Sequence, residues 1–150
     1  MNTRAKPILI DKLHKEDLVK LKDMILLFQE VFEMKEKEMS SDERLQSLLN
    51  NSHFVAFVAF SGEELVGGAT AYVLPKYYSE SSELFLYDLA VKKSFQRQGI
   101  GKELMENMRT YGKQIGAPEL FVAAHAEDQH ALKFYTDVGG RAEEVFHFTF

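Results

Sequence analysis

A chain of 150 residues that is 45% hydrophobic, 27% charged and 12% aromatic has the length and make-up of one globular domain with a full core, here taken as residues 1–150. It has no apolar run near the ~20 residues that span a bilayer, and its start, Met-Asn-Thr-Arg-Ala-Lys, lacks the apolar segment of a signal peptide, so a cytoplasmic location and no membrane partner are expected. The absence of cysteine excludes disulfides, thiolate metal sites and a cysteine nucleophile, and a net charge of −5 argues against nucleic acid while mildly favouring cationic partners.

In chain order, Ile8, Leu9 and Ile10 mark a first strand within residues 7–13. Leu18, Leu21, Ile25, Phe28 and Phe32 keep helical spacing, which predicts an amphipathic helix over 16–34. The polar run 33–42 reads as a loop, and Asp42 is placed to cap a short helix carrying Leu45, Leu48 and Leu49. Residues 53–60 and 64–74 are strands joined by Ser61-Gly62-Glu63, a hairpin. Gly67-Gly68 inside the second of them predicts a bulge or the close approach of another group. Pro75 ends that strand, and a polar and aromatic loop, 76–82, leads to the run Glu-Leu-Phe-Leu-Tyr-Asp-Leu-Ala-Val at 83–91, which is strand material.

After a short polar turn, Ile100, Leu104, Met108, Tyr111 and Ile115 recur at intervals of 3 and 4 and predict a helix, stopped by Gly116-Ala117-Pro118. A strand over 119–124 follows. Asp128 caps a helix whose inward face is Ala131, Leu132, Phe134, Tyr135 and Val138, and Gly139-Gly140 ends it. Residues 142–150 alternate Val145, His147, Thr149 against Phe146, Phe148, Phe150 and predict a final strand. The order β-α-α-β-β-β-α-β-α-β describes one α/β domain with a mixed sheet and helices flanking it.

The informative stretch is Gln96-Arg97-Gln98-Gly99-Ile100-Gly101-Lys102, between a strand and a helix. Strand, basic glycine-containing turn and helix together aim successive backbone N–H groups and a helix N-terminus at one spot, which binds phosphate. Gly99 and Gly101 would let the backbone approach the anion, with Arg97 and Lys102 adding positive charge. A P-loop is excluded by the single residue between the glycines and by Glu103 after Lys102, and a dinucleotide fingerprint by Leu104 where a third glycine belongs. What fits is Gln/Arg-x-x-Gly-x-Gly/Ala, and here the chain resembles the GNAT acetyltransferase superfamily, whose acetyl-CoA pyrophosphate loop has that form.

The element order is similar to the GNAT order across the whole chain. A second stretch, Asp128-x-x-Ala131-x-x-Phe134-Tyr135-x-x-x-Gly139, is similar to the family pattern that begins with Asn instead of Asp. Ala71-Tyr72-Val73-Leu74-Pro75-Lys76, Tyr87-Asp88-Leu89-Ala90-Val91 and His147-Phe148 look like class I aminoglycoside 3-N-acetyltransferases, whereas residues 33–44 and 125–130 follow their own course and could line an acceptor site. The resemblance implies a single GNAT fold with the sheet splayed between the fourth and fifth strands. It implies acetyl-CoA as co-substrate, held by Gln96, Arg97, Gln98, Gly99, Ile100, Gly101 and Lys102 at the pyrophosphate. Leu89, Ala90 and Val91 would meet the pantetheine through main-chain groups, with Asp128, Ala131 and Phe134 bordering it. It also implies a homodimer, as in many relatives.

Within that frame Tyr135 is the general-acid candidate, because a phenol of ordinary pKa about 10 keeps its proton at neutral pH; the plain alternative is a packing tyrosine. A main-chain N–H near Leu89 is the oxyanion-donor candidate. Asp88, a carboxylate in an apolar strand, is the base candidate, against a structural salt bridge. Glu83, five residues back and on the opposite face unless a bulge intervenes, is the second. The histidines at 14, 53, 125, 130 and 147 show no ligand spacing, and no metal site is expected. The resulting expectation is an N-acetyltransferase in which an amine attacks acetyl-CoA directly in a ternary complex. The acceptor would be a small cationic amine, foremost an aminoglycoside amino group, then a polyamine or a peptide or protein amine. A non-catalytic acyl-CoA-binding regulatory module is the rival.

Overall fold

In the computed structural model, which describes residues 6–150, the β-patterned runs assemble into one mixed sheet. Its strands are β1 (Ile8–Lys12), β2 (Phe54–Ser61), β3 (Glu64–Pro75), β4 (Ser82–Val91) and β5 (Glu119–Val122), in the order β1-β2-β3-β4-β5. The first three pairings are antiparallel and β4–β5 is parallel. The parallel step needs a crossover, supplied by α3 (Ile100–Gln114). Among the described residues the other helices are α1 (Leu18–Val31), α2 (Asp42–Asn50) and α4 (Gln129–Asp137), with a 3-10 turn at Lys93–Phe95.

Strand alternation divides the core between the two faces of the sheet. On one, Leu21, Met24, Leu27 and Phe28 of α1 pack on Ala56, Val58 and Ala90. On the other, Ile100, Leu104, Met105 and Met108 of α3 pack on Val55, Phe57, Leu84 and Leu86. At Gly68 α1 packs tightly on the sheet: a Cβ there would lie 2.6 Å from Met24 Cγ, so the close approach expected at the glycine pair is that of a methionine. Among the caps, Asp128 accepts from Ala131 N–H at 3.0 Å, as expected for α4. For α2 the cap is Ser41, accepting from Arg44 N–H at 3.2 Å; Asp42 is instead the first helical residue, where its charge faces the helix dipole.

The pairing of β4 with β5 covers only Glu83–Leu86 against Glu119–Val122, after which the strands part. The second half of β4 therefore has β3 on one side and a split on the other. This is the splay expected between the fourth and fifth strands, and β5 ends at Val122 instead of 124 because the divergence removes its partner.

The predicted final strand is corrected. Residues 141–150 take no strand conformation and are exposed throughout. Their alternation is that of a strand, but a strand exists only by hydrogen-bonding to a neighbour, and no backbone bond joins these residues to the sheet. Among the described residues the sheet has five strands.

Candidate active site

The turn after β4 is tied back to the strand by Gln96, whose Nε2 donates to Val91 O at 2.9 Å. Arg97 (φ +61°) and Gly99 (φ +83°) are both left-handed, and curl the backbone into the start of α3. Gly99 is the N-cap and offers no side-chain acceptor to the helix. The Glu103 N–H bonds to Gly99 O at 3.0 Å; the N–H groups of Ile100, Gly101 and Lys102, one turn earlier, are the orphan donors of the helix end. Nothing lies within 4 Å of where a Gly99 Cβ would stand, so the approach to those donors is open. Ile100 is buried in the core and fixes the helix end, while Arg97 and Lys102 are exposed beside it.

Gly101 also has a packing neighbour that the sequence did not suggest. A Cβ there would stand 3.0 Å from Cε2 of Phe134. The lack of a side chain there lets the α4 ring rest on the first turn of α3, while the space before Gly99 stays open.

At the split, the Lys92 N–H bonds to Val66 O at 2.8 Å, on the β3 side. Alternation then turns the main-chain N–H and C=O of Leu89 and Val91 to the opposite side, into the split. The half-buried Leu89 side chain meanwhile packs with the α3 core, and Ala90 with the α1 core. Packing and an available backbone edge coexist on Leu89, whereas the Ala90 main chain turns to β3 and Val91 O already accepts from Gln96.

Asp88 is half-buried, and that burial raises its carboxyl above the usual range. It has no hydrogen bond or ion pair among the described residues, and the salt bridge offered as its plain explanation is not present. Tyr135 is half-buried on α4, and its phenol is pushed up first by burial, then by the charges of Asp88 and Asp128. Tyr72 on β3 is raised by burial and by the neighbouring Tyr87 and Asp88. One carboxylate thus lies within electrostatic reach of two phenols on different elements. Asp128 is engaged as the α4 cap, and Ala131 and Phe134 beside it are half-buried.

A bulge decides where Glu83 points. Thr70 lies opposite Asp88 and Ala71 opposite Leu86, which leaves Tyr87 as the extra residue. The bulge resets the alternation: Leu84 and Leu86 face α3, Ala90 faces α1, and Glu83, Phe85 and Asp88 share the α1 face. Glu83 is paired with Glu119 at the far end of the β4–β5 contact, five residues and roughly 15 Å along the strand from Asp88. The two carboxylates face the same way without forming a pair.

Sequence reasoning missed an aromatic row on that face. Phe54–Tyr72 (5.6 Å), Tyr72–Tyr87 (5.7 Å), Tyr87–Phe85 (5.9 Å) and the stacked Phe85–Phe121 (4.8 Å) run across four strands beside Asp88. Aromatics at 85 and 87 were the available signal, but their union with 72 and 121 depends on register. The loop before α2 is also anchored near the site: Gln29 Nε2 donates to Glu38 O at 2.8 Å, and Glu33 pairs with Lys93 at 2.9 Å. Residues 125–130 are exposed at the start of α4. A hollow of about 690 Å³ around Leu13, Leu49 and Tyr111 is lined at one side by Phe54 and by none of the candidate catalytic or co-substrate residues. No group of three metal-ligating side chains occurs among the described residues, and no helix among them is long and apolar enough to cross a membrane.

A parallel strand pair that splits beside an uncapped helix N-terminus places this chain among α/β folds that present main-chain donors at one site. The model of the acetyltransferase (GNAT) family matches residues 21–139, and the chain belongs to that family. It is 42% identical to aminoglycoside acetyltransferase meta-AAC0020 from an uncultured soil metagenomic sample, solved in complex with sisomicin, with 95% of each chain covered and a TM-score of 0.93. The aminoglycoside acetyltransferase HMB0005, also from an uncultured soil metagenomic sample, is 33% identical over 96% of this chain and 97% of its own, with a TM-score of 0.91. A curated relative, the uncharacterized N-acetyltransferase YvbK of Bacillus subtilis (strain 168), is 31% identical over 91 residues. That match takes in 61% of this chain and 56% of YvbK, so the chain spans little more than half the length of this relative.

Proposed function

We propose that this chain is an acetyl-CoA-dependent N-acetyltransferase whose acceptor is the amino group of a small cationic amine, in particular an aminoglycoside. The observation that carries it is Asp88: an ionisable group half-buried without a partner, at the mouth of a split strand pair and within the field of the Tyr135 phenol. A carboxylate so placed costs stability and has no packing reason to be there. A module that only bound acyl-CoA would have no use for it. The aminoglycoside assignment is supported by the 42% identical relative solved with sisomicin; the 3-amino position rests on the sequence resemblance alone.

The residues present fit the co-substrate. The uncapped N–H groups at 100–102, with Arg97 and Lys102, suit a pyrophosphate, and the Leu89 and Val91 main chain in the split suits the pantetheine amides. Acetyl-CoA supplies the acetyl group as a thioester. The Leu89 N–H is the donor for charge developing on the acyl oxygen. Asp88 takes a proton from the acceptor ammonium, a task helped by a carboxyl already raised by burial. Tyr135 keeps its proton at neutral pH, since burial and nearby negative charge oppose its ionisation, and holds it for the sulfur that departs. Nothing in this scheme requires a covalent enzyme intermediate.

The test is thiol release from acetyl-CoA with aminoglycoside, polyamine and peptide panels. Turnover with aminoglycosides, and little with the others, is the expected result. Acetyl-CoA binding with no turnover on any amine would overturn the enzymatic reading.

A further inference from the structure

The aromatic row beside Asp88 serves neither half of the core. Met24 of α1 meets β3 at Gly68, and the α1 cluster takes in Ala90 of β4, but Tyr72, Phe85, Tyr87 and Phe121 pack with neither that cluster nor the α3 one. Tyr72 and Phe85 are half-buried, while Tyr87 is 61% and Phe121 42% exposed. The rings hold one another in place: Tyr87 stands at 81° to Tyr72 and 72° to Phe85, and Phe85 lies flat on Phe121 at 4°. A contiguous exposed apolar surface with no packing role marks a place where something binds. The same face carries charge at both ends. Asp88 adjoins the row at Tyr72 and Tyr87, and Glu83, half-buried, lies beyond Phe85. The Glu83 carboxylate has no side-chain hydrogen bond or ion pair among the described residues, and Lys76, the cation at that end, is paired with Glu119 at 3.5 Å.

We propose that the Tyr72–Tyr87–Phe85 row is the floor on which the rings of an aminoglycoside lie, with the reacting amine at Asp88 and a second ammonium of the same molecule held by Glu83. The inference rests on the acceptor reading above and names what sets specificity within it. Aromatic faces carry partial negative charge and attract cations, so rings flanked by unneutralised carboxylates suit a polycation with apolar ring faces. The two carboxylates are roughly 15 Å apart along the strand, too far for one ring to touch both and suited to a frame of several rings with an amine at each end. A polyamine chain would reach both carboxylates but has no ring to lay on the row. Rings already fixed by their neighbours lose little freedom when the acceptor arrives, so their contact area is available for binding. Tyr87, the bulge residue, is the most exposed of them and the one placed next to Asp88.

Initial rates with sisomicin at saturating acetyl-CoA test this on the full chain and three variants. Tyr87→Leu keeps a large apolar side chain on the strand but removes the ring. Its KM for sisomicin should rise about 10-fold with kcat and acetyl-CoA affinity unchanged, and Tyr87→Phe should return KM to near the wild-type value. Glu83→Gln should likewise raise KM about 10-fold at constant kcat, and added salt should raise the wild-type KM more steeply than the variant's. A structural role alone would instead lower the melting temperature and disturb acetyl-CoA affinity. If the wild type acetylates sisomicin while KM stays put in Tyr87→Leu and Glu83→Gln, the floor is overturned and the acceptor reading stands. A fall in kcat for Glu83→Gln would make that carboxylate the base and overturn its part as an anchor. A wild type that turns over no aminoglycoside would overturn both. Should Tyr87→Leu fail to fold, Glu83→Gln decides by itself.

Discussion

Asp88 and Tyr135 make opposite demands on one electrostatic neighbourhood. Burial raises the carboxyl of Asp88, so the folded protein holds that proton more tightly than the unfolded chain. Stability contributed this way is present below the unfolded carboxyl pKa of about 3.9 and falls as pH rises through the window up to the raised folded value. Asp88→Asn removes that cost. At pH 7 the variant should melt no lower than the wild type, and slightly higher, with the advantage gone by pH 3; a calorimetric scan at the two pH values measures it. Its kcat/KM should nevertheless fall about 10²-fold, and the loss should shrink as pH approaches the amine pKa. A lower melting temperature with a pH-independent activity loss would return Asp88 to a structural role and leave Glu83 as the base. Tyr135→Phe should keep acetyl-CoA affinity by titration calorimetry while kcat drops about 10²- to 10⁴-fold. The residue types and their place in the strand and helix were legible in the sequence. That Asp88 has no partner was not, because a missing neighbour leaves no mark on the chain.

At the scale of elements, two glycine substitutions separate binding from packing. Gly99 has φ +83° and open space before it, so Gly99→Glu strains the backbone and sets a carboxylate before the uncapped helix end. Titration should show acetyl-CoA affinity abolished in a folded protein. Gly68→Ala should leave that affinity unchanged but cost about 1–3 kcal/mol of stability, since its Cβ meets Met24 at 2.6 Å; denaturant melts check this, and adding Met24→Ala should recover part of the loss. Helix and strand positions followed from periodicity except at 142–150, where the alternation has no strand to match it. What periodicity could not supply was register: the Tyr87 bulge, which brings Glu83 and Asp88 to one face, exists only in relation to Thr70 and Ala71 across the pair. The contact of Gly101 with Phe134 likewise joins residues far apart in the chain. The choice of Ser41 over Asp42 as a cap depends on a backbone angle that either residue could have taken.

For the molecule as a whole, the segment at 142–150 shows that a strand pattern and a strand are different things: the first belongs to the sequence and the second to a pair. If the homodimer that the resemblance implies forms by pairing this segment with a second chain, folding and association are one equilibrium, and stability must depend on concentration. A two-state dimer of two 150-residue chains unfolds with an entropy proportional to all its residues, so its melting temperature should rise by about 2 °C for each tenfold increase in protein. The Phe146→Glu, Phe148→Glu, Phe150→Glu variant has no association term, and its melting temperature should be lower and flat with concentration. The two slopes decide between readings that a single melt cannot distinguish. A tail seated on its own β5 would also stabilise the wild type over the variant, but by the same amount at every concentration, because no second molecule enters the equilibrium.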